Sequence, residues 1–235
     1  DNTATVTHSG GHWTTTGFMN MARGRRTTAT YDLSGNAVLD SGALRISDSS
    51  YGIGTFNQSG NSVHNVGEIR LGGLPGAESR YNMSGGMLNV GWYIAIYNEN
   101  LTEFNHTGGT VNAGEVRAGG DLSSYAKVGF GTYNLGGTGE LIADEVNVGK
   151  YVNGEFDHTG GTCTVNGPLR VGAERNYYGN LGEGTYELSG TATLSTDGTT
   201  VGDGGVGMFE HMAGMHTVGG SFVMGHLETG LGAYR

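Results

Sequence analysis

The chain has 235 residues, of which 47 are glycine, two are proline and one is cysteine, and its net charge is −10. Glycine thus makes up about one residue in five, against roughly 7 % in ordinary proteins, but no Gly-X-Y triplet runs through the chain, which excludes collagen. The acidic charge and the presence of only two lysines disfavour nucleic acid as a partner. The single Cys163 excludes an internal disulfide, and the apolar stretches are too short for membrane insertion.

A repeated segment organises the whole chain. Each repeat begins with an aromatic residue, or with valine in the first repeat, and each full repeat carries His, Leu, Met or Gln two positions later. In seven of the nine full repeats, Ser or Thr and then Gly follow. We call this first residue the anchor; in chain order the anchors are Val6, Tyr31, Phe56, Tyr81, Phe104, Tyr133, Phe156, Tyr186, Phe209 and Tyr234. Their mean spacing of about 25 residues predicts nine full repeats and the start of a tenth.

Each repeat contains three short alternating segments. In the repeat that begins at Phe156 these are 156–158, then 162–165 after a Gly-Gly pair, and then 169–171, closed by Gly172. Strands this short at so constant a period favour a coil that returns to the same place every turn. We therefore predict an all-β fold: a single right-handed parallel β-helix (β-solenoid) over residues 1–235, with nine to ten coils of about 25 residues and three short strands per coil.

Glycine lies four positions after the anchor in eight of the nine full repeats, for example Gly35, Gly108 and Gly160, and five positions after it in the ninth, at Gly214. We expect these glycines at corners with positive φ, a conformation that glycine adopts without steric cost. The corners then separate the strands, and the glycine excess makes the chain rigid rather than flexible.

The anchor and the residue two positions after it differ between odd and even repeats. Odd repeats read Phe-x-His or Phe-x-Gln, as at Phe104 and His106, whereas even repeats read Tyr-x-Leu or Tyr-x-Met, as at Tyr133 and Leu135. Residues two apart share a face, and we predict that this face points inward. Buried polar groups need partners, so each tyrosine hydroxyl is predicted to bond the His or Gln of a neighbouring coil. A row of metal-binding histidines is disfavoured, because equivalent histidines would lie near 10 Å apart.

The repeat can be written G-x-Y/F-x-x-S/T-G-G-T-x-x-V … L-x-V-G, and segments 102–113 and 154–165 are close copies of it. It resembles the glycine-rich β-helix repeats of bacterial autotransporter passengers and of surface proteins associated with PEP-CTERM sorting signals. The resemblance implies a secreted or cell-surface bacterial stalk or adhesin, with an extracellular polysaccharide or a cell surface as partner. We further expect that the chain is a segment of a larger exported protein.

Acidic side chains fill the outward position after the anchor near the end of the chain. Asp157, Glu187 and Glu210 occupy consecutive repeats, and Glu155 lies two residues before Asp157 on the same face. Like charges about 5 Å apart repel unless a proton or a cation intervenes, and hard oxygen ligands suit Ca²⁺. One interpretation is a Ca²⁺ site, the only cofactor that the sequence suggests, and the other is a solvated acidic stripe.

The third strand carries outward arginines, two of which follow a glutamate by two residues. Glu68 and Arg70 form one such pair, and Glu115 and Arg117 form the other. We predict ion pairs on one face of the sheet. A sulfated or uronic-acid glycan at these arginines is the alternative.

Long segments follow the third strand in two repeats, at 120–130 and 173–183. Long insertions on one face of a solenoid are where binding usually occurs, and tyrosine rings stack on sugars. The predicted glycan-binding residues are Tyr125, Tyr151, Arg175, Tyr177 and Tyr178. The competing interpretation is that loop tyrosines fold back as lids over the core, and it is favoured for Tyr51, Tyr97 and Tyr151.

The function predicted from these features is an extracellular structural and adhesive solenoid that displays loops for surface attachment or self-assembly. Methionines cluster in the first and last coils, which favours head-to-tail self-association. The alternative is a glycan-binding module, or a β-helix enzyme of the polysaccharide lyase or glycoside hydrolase type acting on an extracellular polysaccharide. No catalytic residues can be assigned, because no nucleophile elbow, phosphate loop or cofactor fingerprint is present.

Overall fold

The computed structural model describes residues 2–47, 51–73, 76–98, 100–120, 129–173 and 181–235. Over these residues the protein is all-β, and no α-helix occurs in them. The strands form a parallel β-solenoid of about eight turns of about 25 residues. The prediction of a parallel β-solenoid is thus confirmed. No helix in the described ranges has the length and apolar character needed to cross a membrane.

Eighteen strands lie in the part of the solenoid that the structure describes. In chain order they are β1 (Asn2–His8), β2 (His12–Met21), β3 (Thr27–Leu33), β4 (Val38–Ile46), β5 (Ile53–Gln58), β6 (Val63–Leu71), β7 (Glu78–Ile96), β8 (Thr102–Ala118), β9 (Phe130–Leu135), β10 (Glu140–Val148), β11 (Asn153–His158), β12 (Thr162–Val171), β13 (Glu183–Leu188), β14 (Thr193–Val201), β15 (Val206–His211), β16 (Met215–Val218), β17 (Phe222–Met224) and β18 (Leu231–Tyr234).

Strands pair with their equivalents in the next turn, and anchors lie opposite anchors. Tyr31 pairs with Phe56, and Phe56 pairs with Tyr81. The second and third predicted segments of a repeat usually form one extended run, such as β4 or β10, and most of these runs shift register where the coil turns a corner. One antiparallel bridge, between Asn98 and Phe130, joins described residues outside this parallel pairing.

Stacked aromatic rings fill the centre of the solenoid. Neighbouring rings are nearly parallel, and their centroids are 4.7 Å apart for Tyr81 and Phe104 and 5.3 Å apart for Phe209 and Tyr234. We call this column, from Tyr31 to Tyr234, the aromatic ladder. Its tyrosine and phenylalanine side chains from Tyr31 to Phe209 are at most 2 % exposed. The ladder and the Leu, Ile and Val side chains around it form one continuous core, as the inward face of the repeat predicted.

The polar groups of this face are paired in the way that the sequence predicted. His106 Nδ1 lies 3.1 Å from the Tyr133 hydroxyl, and the Tyr81 hydroxyl donates to Gln58 Oε1 at 2.6 Å. His106 Nε2 lies 2.9 Å from the carbonyl oxygen of Gly109 and so donates to it, which leaves Nδ1 to accept from the tyrosine. Burial lowers the pKa of His106 to about 4, so this histidine is neutral near pH 7 and the two contacts select its tautomer.

The corner glycines required one correction. Gly35 has a positive φ as predicted, but in corners with a Gly-Gly pair the second glycine has it instead, as at Gly109 and Gly161 rather than Gly108 and Gly160. The first glycine is needed for a different reason. A Cβ on Gly108 would lie 2.7 Å from the Ser84 carbonyl oxygen of the preceding turn, so close stacking excludes a side chain there.

Candidate functional site

A ladder of side-chain amides runs along the outside of the anchor strands. Asn57 Nδ2 donates to Asp32 Oδ1 at 2.7 Å, and each asparagine that follows donates to the one before it. The last described step of this ladder is the bond from Asn134 Nδ2 to Asn105 Oδ1, at 2.7 Å. Each amide therefore points its nitrogen toward the N-terminal end of the solenoid.

The ladder meets carboxylates in the next turn. Asp157 lies opposite Asn134 in the register, and Glu187 lies opposite Asp157. Carboxyl oxygens of Glu155, Asp157 and Glu187 all lie within 4.8 Å of one another. The structure thus brings together three of the four acidic residues that the sequence selected. The fourth, Glu210, lies 3.6 Å from the guanidinium of Arg235 and is not part of the group.

The carboxyl group of Asp157 carries the unusual electrostatics of this cluster. Its Oδ1 has no exposed surface and no hydrogen-bond partner in the part of the chain that the structure describes. Partial burial, and then the neighbouring Glu155, raise the pKa of Asp157 to about 6. Partial burial and the charges of Asp157 and Glu210 also raise the pKa of Glu187. The cluster thus favours uptake of a proton or a cation, and the Ca²⁺ interpretation stays a prediction.

Replacing Asp157 with asparagine is expected to stabilise the protein at pH 7. The folded state binds a proton at Asp157 more tightly than the unfolded state, so the wild type loses stability as the pH rises from about 4 through about 6. Because the group is half exposed, we expect a loss of only about 1 kcal/mol. Chemical denaturation of wild type and Asp157→Asn should therefore show an advantage of the variant that grows between pH 5 and pH 7.

The comparison of the two proteins removes the contribution of other titrating groups, which both share. An advantage that is constant between pH 5 and pH 7 would contradict the raised pKa. Repeating the pH 7 measurement with added Ca²⁺ separates the two interpretations of the cluster. A bound cation would stabilise the wild type more than Asp157→Asn, whereas a solvated stripe predicts equal effects.

The predicted glycan-binding residues are mostly outside the described ranges. Four of the five lie outside these ranges, and their role stays a prediction: Tyr125, Arg175, Tyr177 and Tyr178. Tyr151 is described; its ring is only 9 % exposed, and the Lys150 ammonium lies 5.7 Å from the ring centroid. This position leaves little of the Tyr151 ring free for a sugar.

Two of the three tyrosines expected to act as lids are buried. Tyr97 and Tyr151 are 4 % and 9 % exposed, and Tyr97 packs in a small cluster with Ala95 and Val152. The lid interpretation is wrong for Tyr51, whose side chain is 54 % exposed. Tyr51 has a positive φ of 64°, which the sequence pattern could not predict.

The predicted ion pairs of the third strand are present and form a network. Glu68 lies 3.1 Å from Arg70, and Glu115 pairs with Arg117. Tyr93 lies between the pairs: its hydroxyl donates to Glu68, and the Arg117 guanidinium lies 4.2 Å from its ring centroid. Burial alone would raise the pKa of Glu115, but hydrogen bonds from Arg117 and Lys150 outweigh it and lower that pKa. The network continues through Lys150–Glu115, Arg170–Glu145, Arg170–Asp203 and His226–Asp203. Acidic partners thus already compensate these arginines.

Sequence reasoning missed a second amide ladder and an exposed tryptophan. Asn65 Nδ2 donates to Asp40 Oδ1 at 2.7 Å, and Asn89 and Asn112 extend this ladder along the second segment of each coil. The recurrence of Asp or Asn at intervals close to the repeat length was the available signal. Trp92 is 67 % exposed and follows Gly91, which lines an open groove of about 580 Å³.

No family model, no curated protein and no solved structure matches this chain.

Proposed function

We propose that this chain is the structural and adhesive solenoid of an exported bacterial surface protein. In this role the coil is a rigid support, and its loops and outer faces attach to an extracellular polysaccharide or to a cell surface. The repeat supports the proposal through its resemblance to autotransporter passengers and PEP-CTERM-associated proteins.

The observation that carries the proposal is how the buried polar groups are used. The interior histidines bond tyrosine hydroxyls of the aromatic ladder, as His158 does with Tyr186 at 3.0 Å. The same burial lowers the pKa of His106 and of His158 to about 4, so both are neutral and inaccessible near pH 7. These groups hold neighbouring coils together, which is a structural use rather than a catalytic one.

The finer geometry belongs to the proposal as well. We infer a right-handed coil, because parallel crossover connections almost always have that hand. We infer nine full coils and the start of a tenth, with three strand segments per coil, from the anchors between Val6 and Tyr234. At a rise of about 4.8 Å per coil, such a solenoid is about 43 Å long.

Self-association is a second route to the same structural role. The first turn exposes Trp13 and Phe18, and the last turns expose Met215 and Phe222. Such apolar residues on the two end turns suit stacking of one copy on another.

Beads coated with the 235-residue chain should be retained under flow on a surface coated with an acidic extracellular polysaccharide. Beads coated with an unrelated acidic protein are the control. The solution is assayed at the same time for new reducing ends and for unsaturated sugars that absorb ultraviolet light. Retention without such products supports the adhesive role. If the coated beads are not retained, the adhesive role is contradicted. If such products accumulate, the alternative of a glycoside hydrolase or a polysaccharide lyase is favoured.

A further inference from the structure

The loop between β2 and β3 concentrates positive charge on an otherwise acidic protein. Arg23, Arg25 and Arg26 lie within four residues and are all exposed. We propose that this loop, together with Tyr51, binds the carboxylate-bearing sugars of a uronic-acid polysaccharide. We call the surface formed by residues 23–28, Tyr51 and Ile53 the arginine site. The inference deepens the adhesive role proposed above and rests on it.

A tight turn fixes the backbone of the loop. The Thr27 hydroxyl donates to the Gly24 carbonyl oxygen at 2.7 Å, and the Thr27 backbone N–H points to the same oxygen at 3.4 Å. Arg25 and Arg26 are the two central residues of this turn, and Arg26 has a positive φ of 56°. Their side chains therefore project from a defined turn.

The ring of Tyr51 is held between loops of neighbouring turns. The Arg25 guanidinium carbon lies 5.4 Å from the ring centroid. On the loop of the following turn, a Cβ at Gly76 would come within 2.7 Å of a ring carbon, so glycine at this position lets the ring pack against the backbone. Tyr51 is nevertheless 54 % exposed. The ring is thus positioned in advance and still presents surface to a ligand.

A depression lies between the two loops. It has a volume of about 330 Å³ and is lined by Arg26, Thr27, Thr28, Tyr51 and Ile53. Its lining combines a guanidinium, two hydroxyls and an aromatic ring. These groups match the three kinds of surface that an acidic sugar presents: a carboxylate, hydroxyl groups and the flat face of the ring.

The backbone of this region is strained. The positive-φ residues other than glycine in the described ranges are Ala22, Arg26, Ser47 and Tyr51. Two of them, Arg26 and Tyr51, line the depression, and Ala22 adjoins the arginine loop. Residues in this conformation cost free energy and tend to occur at functional sites, where the surrounding structure holds them in place.

The charges of the loop differ from those of the other arginines. No acidic side chain in the described ranges lies within ion-pair distance of Arg23, Arg25 or Arg26, whereas Arg70 and Arg117 each contact a glutamate. Segment 21–27 itself contains no acidic residue. An unpaired guanidinium can hold a carboxylate through two parallel hydrogen bonds.

The negative net charge of the protein disfavours some classes of anionic ligand more than others. Double-stranded DNA carries a charge about every 1.7 Å along its axis, so most of a bound duplex would lie against a protein of net charge −10. A polysaccharide places its carboxylates farther apart and adds sugar rings that can stack on Tyr51. The observations therefore favour a uronic-acid polymer over nucleic acid.

The test is binding of the folded chain to polygalacturonate, measured by retardation in affinity gels at low salt. Fully methyl-esterified polygalacturonate is the matched ligand, since it has the same sugars without charge. The variant Arg23→Gln/Arg26→Gln should bind polygalacturonate about tenfold more weakly or worse. The matched control is Arg80→Gln/Arg235→Gln, which changes the net charge equally but removes arginines that are already paired with glutamates, and it should bind like the wild type.

Circular dichroism melts establish that each variant is folded. The inference is overturned if the wild type ignores polygalacturonate, if the methyl ester binds equally well, if both double variants weaken binding alike, or if single-stranded DNA binds as tightly. The bead assay separates this site from the broader role. Beads carrying Arg23→Gln/Arg26→Gln that are retained like the wild type would reject the arginine site and leave the adhesive role standing, whereas failure of all coated beads would reject the role itself.

Discussion

Acidification from pH 7 to pH 4 is expected to unfold the solenoid cooperatively. Burial lowers the pKa of His64 to about 3 and the pKa values of His106, His158 and His216 to about 4, against 6.5 for an unperturbed histidine. Between about pH 6.5 and pH 4, these histidines are therefore protonated in the unfolded chain but neutral in the folded chain. The contribution of these histidines to stability is complete above pH 6.5 and is lost as the pH drops toward 4.

The size of this effect is comparable with the stability of a whole domain. Lowering the pKa from 6.5 to about 4 corresponds to about 3 kcal/mol for each of His106 and His158, which are well buried. Two such histidines approach the 5–15 kcal/mol that is typical for a domain. Circular dichroism and tyrosine fluorescence between pH 8 and pH 3 would follow the transition.

The variant His106→Gln/His158→Gln is the matched test of this cause. Glutamine already occupies the equivalent position as Gln58, where it accepts from Tyr81 and donates to the Met87 carbonyl oxygen. The double variant should keep its fold near pH 7 and should unfold at a lower pH than the wild type. An unchanged midpoint would show that the buried histidines do not set the acid limit.

Truncation of Phe156 to alanine is expected to cost about 3–5 kcal/mol of unfolding free energy. Its ring is fully buried, and its centroid lies 4.8 Å from the centroids of both Tyr133 and Tyr186. The variant leaves a cavity and also interrupts the aromatic ladder in mid-solenoid, where each coil is stabilised by its two neighbours. Urea or guanidinium unfolding at pH 7.5 would measure the change, away from the titration of the histidines.

Phe130→Ala is the control, because it removes the same atoms from a side chain that is 44 % exposed. We expect this substitution to cost less than about 1 kcal/mol. Its backbone bond to Asn98 is retained in the alanine variant. Equal losses for Phe130→Ala and Phe156→Ala would contradict the central role of the aromatic ladder.

The contrast between these two phenylalanines shows what the repeat could predict. Phe156 is an anchor, and its inward position followed from alternation along its own strand. Phe130 begins β9 three residues before the anchor Tyr133, so the same alternation places it on the outward face, and its side chain is exposed there. The bond between each histidine and the next tyrosine was likewise predictable, because equivalent residues stack at a fixed spacing in a parallel coil.

The outer surface was less predictable because it depends on side chains from several turns. Equal spacing suggested one acidic column, but Glu210 pairs with Arg235 and does not join the close group of Glu155, Asp157 and Glu187. The arginines of the third strand and those of the first loop look alike in composition. The spacing of Glu68 and Arg70 predicted their ion pair, which the structure confirms, but only the structure shows that Arg26 lines an open depression.

The sequence by itself determined the parallel β-solenoid, its period, its inward faces and the pairing of its buried polar groups. These properties are set by local alternation that recurs about every 25 residues, so the pattern that predicts them is repeated many times along one chain. The tertiary structure decided which charges pair between turns, which tyrosines are exposed and where the backbone is strained. Those features depend on contacts between different turns and on loop conformations such as the positive φ of Tyr51, which have no repeating pattern.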